Sequence, residues 1–302
     1  MAAVAEWVAV DWGTSNVRAW GIAADGNTVF STGSDKGMGR IGRADFPGVL
    51  KELVGDLVDG PAEIVICGMA GARQGWLEAP YLDTPADLNQ LRKGAVRPEG
   101  ADRRFDPRIL PGVCQRVAGH EDVMRGEETQ LLGLLHLNPG FSGTAILPGT
   151  HSKWAEIRDG RILRFSSAMT GELYELLAEH SVLRHAMVGE RAGPETEAGV
   201  AEGMTAGLDQ PQLLTALAFR TRAAGLLAGK GADWCSGYLS GLLIGAEIAG
   251  HRDWLDGSVV PLIGSARLTA VYGTALRRLG IESLAIDAAD ATIAGLKGAR
   301  AQ

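Results

Sequence analysis

The sequence predicts an α/β protein built as two similar halves, carried by segments 1–116 and 117–302. Two observations support this. One strand-turn-strand pattern occurs twice, its Gly-Thr pairs Gly13-Thr14 and Gly149-Thr150 lying 136 residues apart. Each copy then runs into alternating helical periodicity and short apolar runs, the mark of helices and buried strands in turn. The plan is a duplicated βββαβα core with an interdomain cleft, where ligands commonly lie.

In the first copy, Val8 to Trp12 is an apolar strand ending in Gly13-Thr14-Ser15-Asn16. A second strand continues through Trp20, and Asp25-Gly26 starts a third, over 27–32. Asp-Gly between apolar runs is a strong hairpin signal, because both turn positions ask for positive φ. Phe46, Val49, Leu50, Leu53, Val54 and Leu57 share one face of a helix over 46–58, and 64–67 is a buried strand ending at Gly68-Met69-Ala70-Gly71. From Pro80 to Pro111 the chain is weakly periodic and rich in Pro, Arg and Asp, which predicts loops and short strands. Within it, Arg103–Arg108 reads as a solvated loop.

A second helix is expected from Asp122, with Leu131, Leu132, Leu134 and Leu135 as its apolar stripe. The second copy follows: Ala145 to Leu147 leads to Gly149-Thr150-His151-Ser152-Lys153, and Asp159-Gly160 turns the chain into 161–166. Helices are expected over 171–185, 211–228 and 237–249. A strand over 259–263 ends in Gly264-Ser265, then come a helix over 268–279, a strand over 284–286 and a helix over 288–296.

The 302 residues are 46% hydrophobic and 22% charged, enough for a sizeable core in one or two domains. A net charge of −7 without a basic tract argues against nucleic acid. No apolar run reaches the roughly 18 residues that span a membrane, and the N-terminus lacks the basic region of a secretory signal. Cys67, Cys114 and Cys235 are odd in number and lack metal-type spacing, so they read as reduced thiols of a cytoplasmic protein.

The chemistry concentrates in the two Gly-Thr loops. A Gly-Thr tip lets backbone approach a ligand and offers amide and hydroxyl donors, which suits phosphate. Thr14, Ser15 and Asn16, with Arg18 behind them, are such donors in the first loop, and Thr150, His151, Ser152 and Lys153 in the second. Asp11 has no acidic counterpart in the second copy, where Leu147 stands. A carboxylate beside phosphate needs an intervening cation, which makes Asp11 a candidate for hydrated magnesium. Two loops gripping one polyanion point to a nucleotide phosphotransferase. Such transfer needs a group to orient or deprotonate the acceptor, and Glu127 and Glu128 stand where a helix start leads into the second loop. Acidic residues there also simply favour the helix dipole. No dinucleotide fingerprint follows a strand, and Gly225–Gly231 lacks the spacing and hydroxyl of a Walker loop, so it reads as a helix end.

The duplicated plan with two Gly-Thr loops resembles the actin, sugar kinase and chaperone ATPase superfamily, a two-domain actin-like ATPase (ribonuclease H-like) fold. The wording of Val10–Trp20, Gly68–Gly71 with Gly75-Trp76, Val123–Leu131, Leu147–Trp154, Met169–Leu173 and Leu239–Glu247 is similar to the 2-dehydro-3-deoxygalactonokinase family, nearly end to end. The resemblance implies ATP-dependent, magnesium-dependent phosphorylation of the 6-hydroxyl of 2-dehydro-3-deoxy-D-galactonate. It implies that Asp11 holds the metal, that Gly13–Asn16 and Gly149–Lys153 grip the phosphates, and that Gly264-Ser265 lies beside the adenosine. In related sugar kinases a catalytic Asp stands at the position of Glu127; the longer side chain here leaves Glu128 as the alternative base. An acidic substrate wants cationic or N–H donors, for which Ala70, Gly71, Arg73, Trp76, Arg125, Thr170 and Gly171 are candidates, with Glu172 accepting from a sugar hydroxyl. Partners are then ATP and a small sugar acid, with no nucleic acid and no membrane; oligomeric state stays open, a homodimer among the options. Open alternatives are a kinase for the gluconate epimer or another sugar acid, a nucleotide switch of the same fold, and a phosphohydrolase.

Overall fold

Strand β1 (Trp7–Trp12) leads the chain, whose computed structural model describes residues 5–58 and 60–302. There follow β2 (Val17–Ile22), β3 (Thr28–Ser34), α1 (Phe46–Val54), β4 (Ala62–Gly68), β5 (Tyr81–Asp83), β6 (Ala86–Asp87), β7 (Phe105–Ile109), β8 (Gly112–Gln115), β9 (Asp122–Met124) and α2 (Glu127–Leu137). The remainder is β10 (Gly143–Leu147), β11 (Ser152–Arg158), β12 (Arg161–Ala168), α3 (Thr170–His180), α4 (Thr196–Asp209), α5 (Leu214–Leu227), α6 (Ala232–Gly250), β13 (Val260–Gly264), α7 (Ala266–Arg278), β14 (Ser283–Asp287) and α8 (Ala288–Arg300). The chain forms two compact units that interleave in sequence: Met1–Ser142 with Ala155–Phe165 and Ala288–Gln302, and Gly143–Trp154 with Ser166–Asp287. These differ from the contiguous halves 1–116 and 117–302.

In the first unit a five-stranded sheet runs β3-β2-β1-β4-β7. The β1–β2–β3 meander is antiparallel, while β1–β4 and β4–β7 are parallel. Val8, Val10, Trp12, Ile64 and Ile66 are fully buried against Phe46 and Leu50 of α1. Every residue of β1 except Asp11 is apolar and buried, as a central strand covered on both faces requires. Helix α8 returns to pack on α2, β1 and β4. A smaller sheet runs β5-β8-β9, and β6 pairs with β12.

In the second unit β10 pairs in parallel with β13, and β13 with β14. Its cores gather around Trp154, Ile244, Leu262 and Tyr272, and around Trp234, Tyr238 and Leu242. Helices α4 and α6 meet backbone to backbone: a Cβ on Gly203 would lie 2.0 Å from the Tyr238 carbonyl oxygen, and one on Gly241 2.2 Å from that of Val200.

Several expectations need correction. Helix α4 carries no hydrophobic period in the sequence, because glycines at 199, 203 and 207 occupy its inner face where large apolar residues would otherwise stand. Arg103–Arg108 is no solvated loop, since its second half enters β7, buried at alternate positions as a sheet strand should be. Asp122–Met124 is strand β9, and the helix begins five residues later at Glu127, after Gly126 at φ 113. At Asp159-Gly160 both residues have positive φ, 50 and 73. At Asp25-Gly26 only Gly26 does, at φ 84, in a longer turn closed by the Ala23 N–H on Asn27 O at 2.9 Å. Helix 46–58 ends at Val54, helix 171–185 breaks after His180, and Gly229 at φ 64 follows the end of α5 in the would-be Walker segment.

Candidate active site

Asp11, next to last in the buried strand β1, lies directly opposite Arg18 on β2. The Arg18 guanidinium Nη2 lies 2.7 Å from Asp11 Oδ2, and the Cys67 thiol on β4 faces Asp11 Oδ1 at 3.9 Å. The first loop turns tightly, with Gly13 N–H donating to Asn16 O at 2.8 Å. A following segment braces it: Met38 N–H donates to Gly13 O and Gly39 N–H to Thr14 O, at 3.0 and 2.8 Å. Thr14, Ser15 and Asn16 are left exposed at the tip. In the sequence only the Gly37-Met38-Gly39 pairing after β3 signals this brace.

The start of α2 comes to the same strand ends. Gly68 has φ 85, and a Cβ on it would lie 2.7 Å from Trp12 O and 3.5 Å from Asp11 Oδ1. A Cβ on Gly126 would in turn lie 3.4 Å from Gly68 Cα. Both glycine conformations are ones that side chains rarely adopt. The result brings Asp11 and the Glu127-Glu128 pair into one neighbourhood, which also perturbs Cys67: burial chiefly, then the charges of Asp11 and Glu128, raise its pKa well above normal.

The two glutamates are differently housed. Glu127 is half-buried and accepts from the Arg125 N–H at 3.1 Å. Glu128 is 1% exposed, accepting from the Gly126 N–H at 2.7 Å and the Thr129 hydroxyl at 3.0 Å. Burial first, and the neighbouring Glu127 charge second, push Glu128 up to about 7. Near neutrality it therefore exchanges a proton, a property suited to general acid–base work.

The substrate candidates of this unit separate. Ala70 and Gly71 form a buried turn, and a Cβ on Gly71 would lie 2.8 Å from Arg125 Nη1. Arg125 donates through Nη2 to Ala79 O at 2.8 Å and lies 4.3 Å over the Tyr81 ring, while its buried Nε and Nη1 have no partner. Arg73 is exposed, its carbonyl accepting from Arg43. Trp76 is core, edge-on to Trp12 at 6.4 Å with its Nε1 donating to Glu99 O at 3.1 Å.

In the second unit, Thr150 and His151 are exposed at the loop tip, and Ser152 and Lys153 are buried. Thr170, Gly171 and Glu172, the first residues of α3, lie against this loop. Glu172 N–H donates to Thr150 O at 3.0 Å, and its carboxylate meets His151 Nε2 at 2.5 Å. Gly264 approaches Pro148 O, and the Ser265 hydroxyl caps α7 by accepting from the Leu268 N–H at 3.4 Å. A cavity of about 860 Å³ opens beside the loop, lined by Gly149, Thr150, Thr170, Gly171, Tyr272, Arg267, Leu268 and an apolar wall of Val200, Met204, Leu243, Ile244 and Val271. Its volume suits a nucleoside-sized ligand. The helix α4 part of this wall had no sequence signal beyond the sparse Val200, Met204 spacing.

Among the described residues no cluster of three or more His, Cys, Asp or Glu could alone hold a metal ion, and no helix is long and apolar enough to cross a membrane.

The sequence model of a family described as 2-keto-3-deoxy-galactonokinase matches residues 11–299. The chain is 44% identical over 298 residues to the probable 2-dehydro-3-deoxygalactonokinase of Rhizobium meliloti (strain 1021), covering 97% of this chain and 96% of that protein. It is 35% identical over 296 residues to the 2-dehydro-3-deoxygalactonokinase of Escherichia coli (strain K12), covering 97% of each. The crystal structure of a candidate 2-dehydro-3-deoxygalactonokinase from Sinorhizobium meliloti superposes with a TM-score of 0.90 at 42% identity, over 97% of both chains. The fold is that of the actin-like ATPases and sugar kinases.

Proposed function

The chain belongs to the 2-keto-3-deoxy-galactonokinase family, and from that premise we propose that it transfers the γ-phosphoryl group of ATP to the 6-hydroxyl of 2-dehydro-3-deoxy-D-galactonate. The observation that carries the reading is the meeting of the Asp11 strand end with the Glu127-Glu128 helix start through Gly68 and Gly126. Phosphoryl transfer needs charge neutralised at the phosphates and a carboxylate at the acceptor hydroxyl, and that meeting supports both. The C6 oxygen attacks the γ-phosphorus, the bond to the bridging oxygen of ADP breaks, and the hydroxyl proton passes to a carboxylate. Glu127, the more accessible of the pair, is that base; Glu128 is the alternative.

Asp11 would hold the magnesium. Its carboxylate is half-buried beside the exposed first loop, and magnesium is commonly bound by one or two carboxylates with water and substrate phosphate, so the donor set fits. When bound, the ion offsets phosphate charge. Gly13–Asn16 and Gly149–Lys153 supply phosphate donors, each from its own unit, and the cavity beside Gly149 takes the adenosine. Arg125 supports an acidic acceptor, since its two unpartnered nitrogens suit a carboxylate. Three unpaired buried thiols support work in the reducing cytoplasm.

The test is a coupled ADP-release assay with magnesium-ATP, offered 2-dehydro-3-deoxygalactonate, its gluconate epimer, neutral hexoses, or no acceptor. Turnover confined to the galactonate-derived acid is expected. Preference for the epimer would reassign the substrate, and release without any acceptor would favour a hydrolase or switch.

A further inference from the structure

Glu247 stands near the end of α6 and is only 8% exposed. Its carboxylate gathers three donors from three other elements. Trp154 Nε1 of β11 donates to Oε1 at 2.8 Å, Tyr272 of α7 donates its hydroxyl to Oε2 at 2.7 Å, and the Thr170 hydroxyl at the start of α3 also donates to Oε2. Tyr272 spends its proton on Glu247, so the Ser152 hydroxyl, 3.0 Å away, donates to the Tyr272 oxygen. Burial and the Glu247 charge both keep that phenol protonated, with its pKa well above normal. The Trp154 ring is backed by His251, stacked at 4.6 Å, whose two ring nitrogens reach Glu247 O and the Ser166 hydroxyl at 2.8 and 3.0 Å.

This network ends at the second loop and at the cavity wall. Ser152 and Trp154 continue directly from Gly149-Thr150-His151. Thr170 precedes Gly171, which lies against Gly149 O and Thr150 Cα. Thr170 and Tyr272 line the cavity, while Glu247 does not. One buried carboxylate thus fixes a loop, a helix start and a cavity-lining tyrosine relative to one another. A buried charge is costly unless fully hydrogen-bonded, and no reaction step uses this one.

We infer that Glu247 is a positioning residue that sets the second loop and the Thr170-Gly171 turn in register with the nucleotide cavity. The inference rests on the reading that this loop and cavity take ATP. Apolar packing could hold these elements together, but only a multi-acceptor carboxylate fixes three donors at one point. Glutamine keeps the shape and loses that property, because its amide nitrogen would face a donor.

The experiment compares full-length wild type with Glu247→Gln and Trp154→Phe. It measures ADP binding by calorimetry well below each melting temperature, the KM for ATP and for the sugar acid, and thermal unfolding. Glu247→Gln is expected to weaken ADP binding at least tenfold and raise the KM for ATP in parallel, with the KM for the sugar acid within twofold. Trp154→Phe, which removes one donor and does not line the cavity, is expected to show a smaller loss of the same kind and serves if Glu247→Gln does not fold. Unchanged ADP affinity in a folded variant, whatever its melting temperature, would reduce Glu247 to a structural role and overturn the inference. Wild-type protein that turns over but binds ADP without protection of the second-loop amides in hydrogen exchange would instead overturn the premise about the loop.

Discussion

Replacing Gly171 with alanine probes how closely the second loop must be held. The added Cβ would lie 2.5 Å from Gly149 O and 2.7 Å from Thr150 Cα, whereas ordinary contact begins at 3.4 Å, so one side must give by about 0.9 Å. Both obstacles are backbone, which cannot rotate away as the end of a long side chain can. Alanine in the first turn of α3 regains up to about 1 kcal/mol of helix propensity, against an overpacking strain of about 1–3 kcal/mol. The net cost in stability is therefore small, about 0–2 kcal/mol. The cost in function is larger, because misplacing a binding group by about 1 Å is worth on the order of 100-fold in rate. A coupled ADP-release assay at varied ATP should show kcat/KM for ATP down by roughly that factor, while thermal unfolding shifts by only a few degrees. A folded variant with kcat/KM for ATP within threefold of wild type would refute the reasoning, by showing that the loop relaxes freely or binds no phosphate.

Four further outcomes are expected. Glu127→Gln should lower kcat by about 100-fold or more, the range of a general base, with ADP affinity retained; normal turnover alongside an inactive Glu128→Gln would exchange their roles. Glu128 has a folded pKa of about 7 against 4.5 in the unfolded chain, so between those values the native state holds the extra proton. Its contribution is fully present below about 4.5 and is lost as pH rises through about 7, some 3 kcal/mol in order of magnitude; urea unfolding of metal-free, nucleotide-free protein should show this decline, and Glu128→Gln should flatten it. In thermal scans Gly203→Ala, whose Cβ meets Tyr238 O at 2.0 Å, should destabilise by about 1–3 kcal/mol or more. Gly48→Ala in α1, with nothing within 4 Å, should instead stabilise by about 0.4–1 kcal/mol.

The sequence by itself determined the parts of this protein whose signals are local. Alternation of apolar runs with Gly-Thr and Asp-Gly pairs located β1, β2, β10 and β11, and comparing the two copies singled out Asp11, whose counterpart is Leu147. The Glu127-Glu128 pair was legible as a candidate because it stands at a helix start leading into the second Gly-Thr loop, although acidic residues there also suit the helix dipole. What the sequence could not supply was company. Nothing in residues 68 and 126 says that two glycines touch, yet that contact brings α2 to Asp11. Glu127 and Glu128 are adjacent and chemically identical, and only packing leaves one half-buried and drives the other to about 7. Trp76 reads equally as a substrate contact or as core from the sequence, and the fold buries it with Trp12 and Phe46. Helix α4 has no hydrophobic period in the sequence because its inner face is glycine, which lets α6 approach closely. Strand ends and turn residues are set by neighbours in sequence. Burial, and with it proton affinity and polar partnership, is set by neighbours in space.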